Sequence, residues 1–174
     1  IDVVFLQAGG WVVADEVQTA RLRDHTIERT VAQNVLGAHA TLRALMASER
    51  LATQCRVVII GGEGARGVPG VIRTPAFTDV ADFQRYLAGD WEGRAAYKPV
   101  DALGVAKLGA ALWAKMLAQR NEDGLEVVWF TPGLIGGTRG TAGLPLLVEF
   151  MMQRVAFPIL VALGRAQWPS AAAA

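Results

Sequence analysis

Cysteine is nearly absent from this chain: Cys55 stands alone among 174 residues. One thiol excludes an internal disulfide framework and a cysteine-type zinc site. It flanks a strand-like run, where it reads as a small buried hydrophobe, and it fits a reducing, cytoplasmic setting. Charge is equally sparse. Charged residues make up 19% and the formal net charge is +1, with no basic stripe of the kind that grips nucleic acid. Tyrosine occurs twice, as Tyr86 and Tyr97, and histidine twice, as His25 and His39. A signal-peptide pattern is also lacking. The chain opens on Ile1-Asp2 inside a strand-like run without a basic n-region, an abrupt start that predicts further residues before Ile1. The most apolar segment, 144–163, is interrupted by Glu149, Gln153, Arg154 and Pro158, whereas a spanning helix needs about 20 predominantly apolar residues. It reads as an amphipathic or buried helix, with contact at a membrane surface as the remaining option.

What the chain does have is apolar content, 52%, enough for one compact domain over 1–170 with a short SAAAA tail at 171–174. Three continuous apolar runs, VVFL (Val3 to Leu6), VVII (Val57 to Ile60) and VVWF (Val127 to Phe130), suit strands of a parallel sheet covered on both faces. Each leads into glycine: Gly9-Gly10, Gly61-Gly62 and Gly133. Between the runs lie helical stripes. Ile27, Val31, Val35, Ala38, Leu42 and Leu45 recur at spacings of three and four, with Thr26 as the cap. Leu103, Ala106, Ala110, Trp113 and Leu117 form a second stripe, capped by Asp101 and ended at Asn121 to Gly124. The alternation predicts a parallel α/β arrangement with right-handed crossovers. Ligands in such sheets bind beyond the carboxyl ends of the strands. The three glycine clusters therefore predict a cleft where a flat ligand approaches backbone. Residues 63–100, rich in glycine and proline, read as a lid-like excursion ending in a short amphipathic piece.

These segments together resemble the central and C-terminal part of a short-chain dehydrogenase/reductase. VVFLQAGG resembles the strand that ends in Asn-Asn-Ala-Gly, and TVAQNVLGAH the helix carrying the catalytic asparagine, here Asn34. RVVIIGGEGARG resembles the strand that ends at the catalytic serine, LGVAKLGAALWAKMLAQR the Tyr-x-x-x-Lys helix, and VVWFTPGLIGGT the strand and Pro-Gly turn that hold nicotinamide. The resemblance covers roughly residues 1 to 140. It implies a partial Rossmann-like three-layer sandwich, three parallel strands with flanking helices, and NAD(P)-dependent oxidoreduction of a carbonyl or alcohol. It implies catalytic roles for Asn34 and Lys107, and cofactor contacts from Ala8, Gly9, Lys107, Pro132, Gly133, Ile135 and Thr138. A homo-oligomer through the helices at 27–50 and 101–120 is also implied, with Ala38, Ala110, Ala111 and Ala114 permitting close helix packing.

The departures from the pattern bear on the chemistry. The Gly-x-x-x-Gly-x-Gly turn that cradles pyrophosphate at a helix N-terminus is missing from these residues, so the resemblance implies NAD or NADP where an N-terminal half supplies that turn, and no cofactor otherwise. Gly62 stands at the serine position and Leu103 at the tyrosine position. In the family, the tyrosine passes a proton, the lysine lowers its pKa and holds the nicotinamide ribose, and the serine binds the substrate oxygen. Proton-transfer groups typically contribute about 10²–10⁴-fold, so carbonyl reduction is expected to be impaired. A binding or scaffold protein acting through its helices is the alternative. Tyr97 and Thr131 are candidate replacements for the lost hydroxyls. His25 and His39 have no serine or cysteine beside them, and Glu63 and Glu92 read as solvated.

Overall fold

A computed structural model describes residues 1–92, 96–120, 124–135, 146–163 and 166–167. The chain divides into two compact units, Ile1–Thr131 and Pro132–Ala174.

The first unit is built on a three-stranded parallel sheet of β1 (Val3–Leu6), β4 (Arg56–Ile60) and β5 (Glu126–Phe130), in the order β1-β4-β5. The register sets Leu6 beside Ile59 and Ile59 beside Trp129. The fold is thus α/β with three parallel strands and flanking helices, as the apolar runs imply. Alternate side chains of a strand take opposite faces. Val4, Leu6, Val57 and Ile59 point into one core with Ala38 and Leu42 of α2 (Gly37–Ala47) and Trp113 and Ala114 of α4 (Pro99–Arg120). Burying a side chain such as Leu42 or Ile59 contributes about 1.5–3 kcal/mol.

The expectation that all three strands are covered on both faces is corrected. Val3 and Phe5 of β1 are 45% and 66% exposed, and Phe130 of β5 is 51% exposed. An unbroken apolar run reports that both faces are apolar, not that both are covered.

Local boundaries differ as well. Ile27 does not begin a helix. It lies in β3 (His25–Glu28), which forms an antiparallel hairpin with β2 (Thr19–Leu22) around Arg23, where φ is 54°. The helix starts one residue later as α1 (Arg29–Val31), and Glu28 caps it by accepting from the Val31 N–H at 2.8 Å. Thr26 therefore caps nothing. Asp101 is not a cap either, because α4 begins at Pro99. Its buried carboxylate instead accepts from the N–H and Nε of Arg73, pinning the excursion to the helix. The excursion holds a 3₁₀ turn at Glu63–Arg66 and α3 (Val80–Leu87), capped by Asp79.

In the second unit, α5 (Leu146–Met151), a π turn (Met152–Ala156) and α6 (Phe157–Ala162) follow one another without a break. Pro158, the second residue of α6, follows closely on the π turn, so this helical run passes through a residue that has no N–H to donate. Short strands β6 (Leu134–Ile135) and β7 (Ala166–Gln167) pair in parallel. Among the described residues no helix is long and apolar enough to cross a membrane. The tail at 171–174 lies outside the described residues.

Candidate functional site

Asn34 is placed by an irregularity. Between α1 and α2 the chain makes a π turn, Ala32–Leu36, with Asn34 at its centre. Single π turns inside helices cost hydrogen-bond geometry and occur frequently at functional sites. Asn34 is buried, and its Nδ2 donates to the carbonyls of Thr30 and Gly10. The second bond ties the π turn to the loop beyond β1. Its Oδ1 is buried with no hydrogen-bond partner among the described residues. A buried unpaired acceptor costs about 1–3 kcal/mol, a cost that a ligand or water donor removes.

Lys107 reaches the same spot from α4. A Cβ placed on Gly9 would meet Asn34 Oδ1 at 2.5 Å and Lys107 Nζ at 3.7 Å. Gly9, Asn34 and Lys107 therefore converge although they lie far apart in sequence. The lysine side chain runs along Gly62, where a Cβ would lie 3.5 Å from Lys107 Cε. Burial lowers the Lys107 pKa, and no charged neighbour adds to that shift. Leu103, one turn earlier, shares the helix face of Lys107.

A lysine whose pKa is lowered in the fold is costly while both states are protonated, below its folded pKa. The cost fades as pH rises towards the unfolded value of 10.5. Lys107→Met is accordingly expected to raise the melting temperature at pH 7, with a gain that shrinks as pH approaches 10.5. Thermal unfolding of the two proteins across pH 6–10 (roughly the range below the ordinary lysine pKa) checks this. A gain that grows with pH would contradict it.

The three glycine clusters do not behave alike. Gly9 allows the close approach of Asn34, and Gly62 is open enough for a side chain. Gly61 faces inward: a Cβ there would lie under 3 Å from three indole atoms of Trp129. The cleft expected at Gly61 is thus filled by the protein's own ring, which corrects its assignment as a ligand-facing glycine. Ala8 is exposed beside Gly9. Pro132, Gly133 (φ 75°) and Ile135 belong to the second unit, and Thr138 lies outside the described residues.

The candidate replacement hydroxyls are Tyr97 and Thr131. Tyr97 is half-buried, edge-on to Trp91, with its hydroxyl unpaired among the described residues. Burial, and then the Glu28 carboxylate, push its pKa up to about 12, the wrong direction for a proton relay near neutrality. Thr131 is half-buried just beyond β5. His25 is an exposed hairpin residue, and His39 packs edge-on to Trp113. Among the described residues no cluster of three histidine, cysteine or acidic side chains could hold a metal.

Sequence reading missed two features. One is the fully buried Glu28, which caps α1 while its Oε1 lacks a partner among the described residues. The other is a row of aromatic rings on the excursion, Phe83, Phe77, Tyr86, Trp91 and Tyr97, in successive edge contacts. Phe77, Tyr86 and Trp91 of the row line a pocket of about 190 Å³ with Arg73 and Asp101. The clustering of aromatics between residues 77 and 97 was the available signal.

No family model matches the chain, and no curated protein does. Among solved structures, the chain is similar to an uncharacterized protein from Mycobacterium paratuberculosis, at 24% identity and a TM-score of 0.49. The similarity covers 76% of this chain and 41% of that one, so this chain spans under half the length of the solved protein.

Proposed function

We propose that the first unit is a short-chain dehydrogenase/reductase type of domain that grips the nicotinamide ribose of NAD or NADP through Lys107 and Asn34, with carbonyl–alcohol oxidoreduction impaired. The observation that carries this is the convergence of Gly9, Asn34 and Lys107 at one point, with a buried acceptor lacking a donor beside a desolvated amine. A ribose diol supplies both a donor and an acceptor, so these two side chains fit it. Bound nicotinamide would supply hydride. The chain's own part is to hold the ribose: Lys107 Nζ donates and Asn34 Oδ1 accepts. Proton delivery is what is missing, because Gly62 and Leu103 have no hydroxyl.

Titration with NADPH, followed by its fluorescence, is the test. Saturable binding below millimolar concentration is expected for the unchanged protein. No binding at millimolar NADPH would end the nucleotide reading for this chain.

A scaffold role through a helix–helix dimer is the second reading, and one observation favours it. Leu112 and Met116, one turn apart on α4, are 47% and 43% exposed. The alanines expected to line such an interface do not serve it, since Ala38, Ala110 and Ala114 are buried within the chain's own core. Sedimentation of Leu112→Glu with Met116→Glu is expected to give a monomer where the unchanged chain gives a dimer. A monomeric unchanged chain would dismiss this reading.

A further inference from the structure

We propose that the Lys107 amine, held between Asn34, Gly9 and Gly62, is a carbonyl-capturing nucleophile that forms a reversible imine with small aldehydes. This does not rest on nucleotide binding. It follows from what surrounds the amine and from what has been removed around it.

Three features of the site support capture. First, no acid among the described residues stands beside the amine: Leu103 occupies the position one turn earlier, and burial alone lowers the Lys107 pKa. A lysine desolvated in an apolar setting keeps more of its neutral form, which is the nucleophile. Second, glycine flanks the lysine stem and the loop beyond β1, which leaves space along the stem. A Cβ on Gly62 would make ordinary contact with the lysine methylenes at 3.5 to 3.6 Å, and a Cβ on Gly10 would meet nothing within 4 Å. Third, Asn34 Oδ1 is an acceptor with no donor of its own. It can accept from the N–H or the new hydroxyl of the adduct, which neither a free aldehyde nor an apolar ligand would provide.

The chemistry balances without an oxidant or a cofactor. The nitrogen lone pair bonds to the carbonyl carbon, and the carbonyl π electrons move to oxygen. A proton passes from nitrogen to that oxygen, giving a carbinolamine. The hydroxyl then departs as water with the second nitrogen proton, leaving C=N. One aldehyde enters and one water leaves.

The chain supplies its own controls, because its three lysines are Lys98, Lys107 and Lys115, and the other two are exposed. The protein is incubated at pH 7 (about neutral, well below the ordinary lysine pKa) with butanal and cyanoborohydride, which traps an imine as a stable alkylamine. Peptide mapping then compares the three lysines. Lys107 is expected to take up label several-fold faster than Lys98 and Lys115 despite being less exposed. In Leu103→Glu, which sets a carboxylate one turn away, labelling of Lys107 is expected to slow several-fold while the other two keep their rates. Labelling of Lys107 no faster than the exposed pair, or an unchanged Lys107 rate in Leu103→Glu, would overturn the proposal. Because nucleotide is absent from the assay, aldehyde capture and NADPH binding succeed or fail separately.

Discussion

Gly62→Ser combined with Leu103→Tyr is expected to give NADPH-dependent reduction of a small carbonyl compound well above that of the unchanged protein. Each substitution places a hydroxyl where the resemblance to the reductases calls for one, and at residue 62 the fold leaves space for it. At residue 62 a new Cβ meets only lysine methylenes at ordinary contact distance, and the extended backbone there (φ −177°) suits any residue. At residue 103 the tyrosine would share a helix face with Lys107, four residues on, and its pKa would fall beside that charge. Proton-transfer groups contribute about 10²–10⁴-fold. Residues that act as a unit are strongly non-additive, so either single substitution is expected to do little. NADPH oxidation by the singles and the double measures this. A double variant that binds NADPH yet turns nothing over would mean that the cleft itself, and not merely its hydroxyls, has changed.

The second large effect concerns stability. Gly61→Ala is expected to destabilise the protein by about 2–3 kcal/mol, the upper range for overpacking a filled site. For a chain of this size that is a melting-point loss of roughly 4–12 °C. The added methyl would enter the indole of Trp129. The backbone has little room to retreat, since the Gly61 N–H donates to the Phe130 carbonyl at 2.7 Å. Trp129→Leu is expected to restore most of the loss in the Gly61→Ala background. Gly61→Ala melting with the unchanged protein would contradict the packing described. Gly62→Ser, one residue away, is the contrast, with little change in stability expected.

How much of this was legible in the sequence depended on how far each signal reached. Continuous apolar runs marked the three strands, because short β-branched runs between helical stripes suit a parallel sheet, though they did not show that β1 and β5 leave apolar side chains exposed. The long stripe from Leu103 to Leu117 placed Lys107 on a helix, and the helix that carries Asn34 was visible in the same way. The β2–β3 hairpin was not. Its strands are four residues each and mix charge with apolar groups, and Ile27 stands four before Val31, so strand spacing imitated a helix stripe. The two uses of glycine at 61 and 62 were also hidden. A glycine that clears space for a ring and one that clears space for a ligand look the same until Trp129 is placed. The π turn at Asn34 and the unpaired Oδ1 are consequences of packing, and no local pattern announces them.

Saturation-transfer NMR on NADPH, with the unchanged protein and with Lys107→Met, measures directly the proposed grip of Lys107 and Asn34 on the nicotinamide ribose. The strongest transfer is expected at the nicotinamide-ribose protons, and it is expected to collapse in Lys107→Met while the circular dichroism of the fold persists. Transfer concentrated on the adenine end, or unchanged by the loss of the Lys107 amine, would contradict the account.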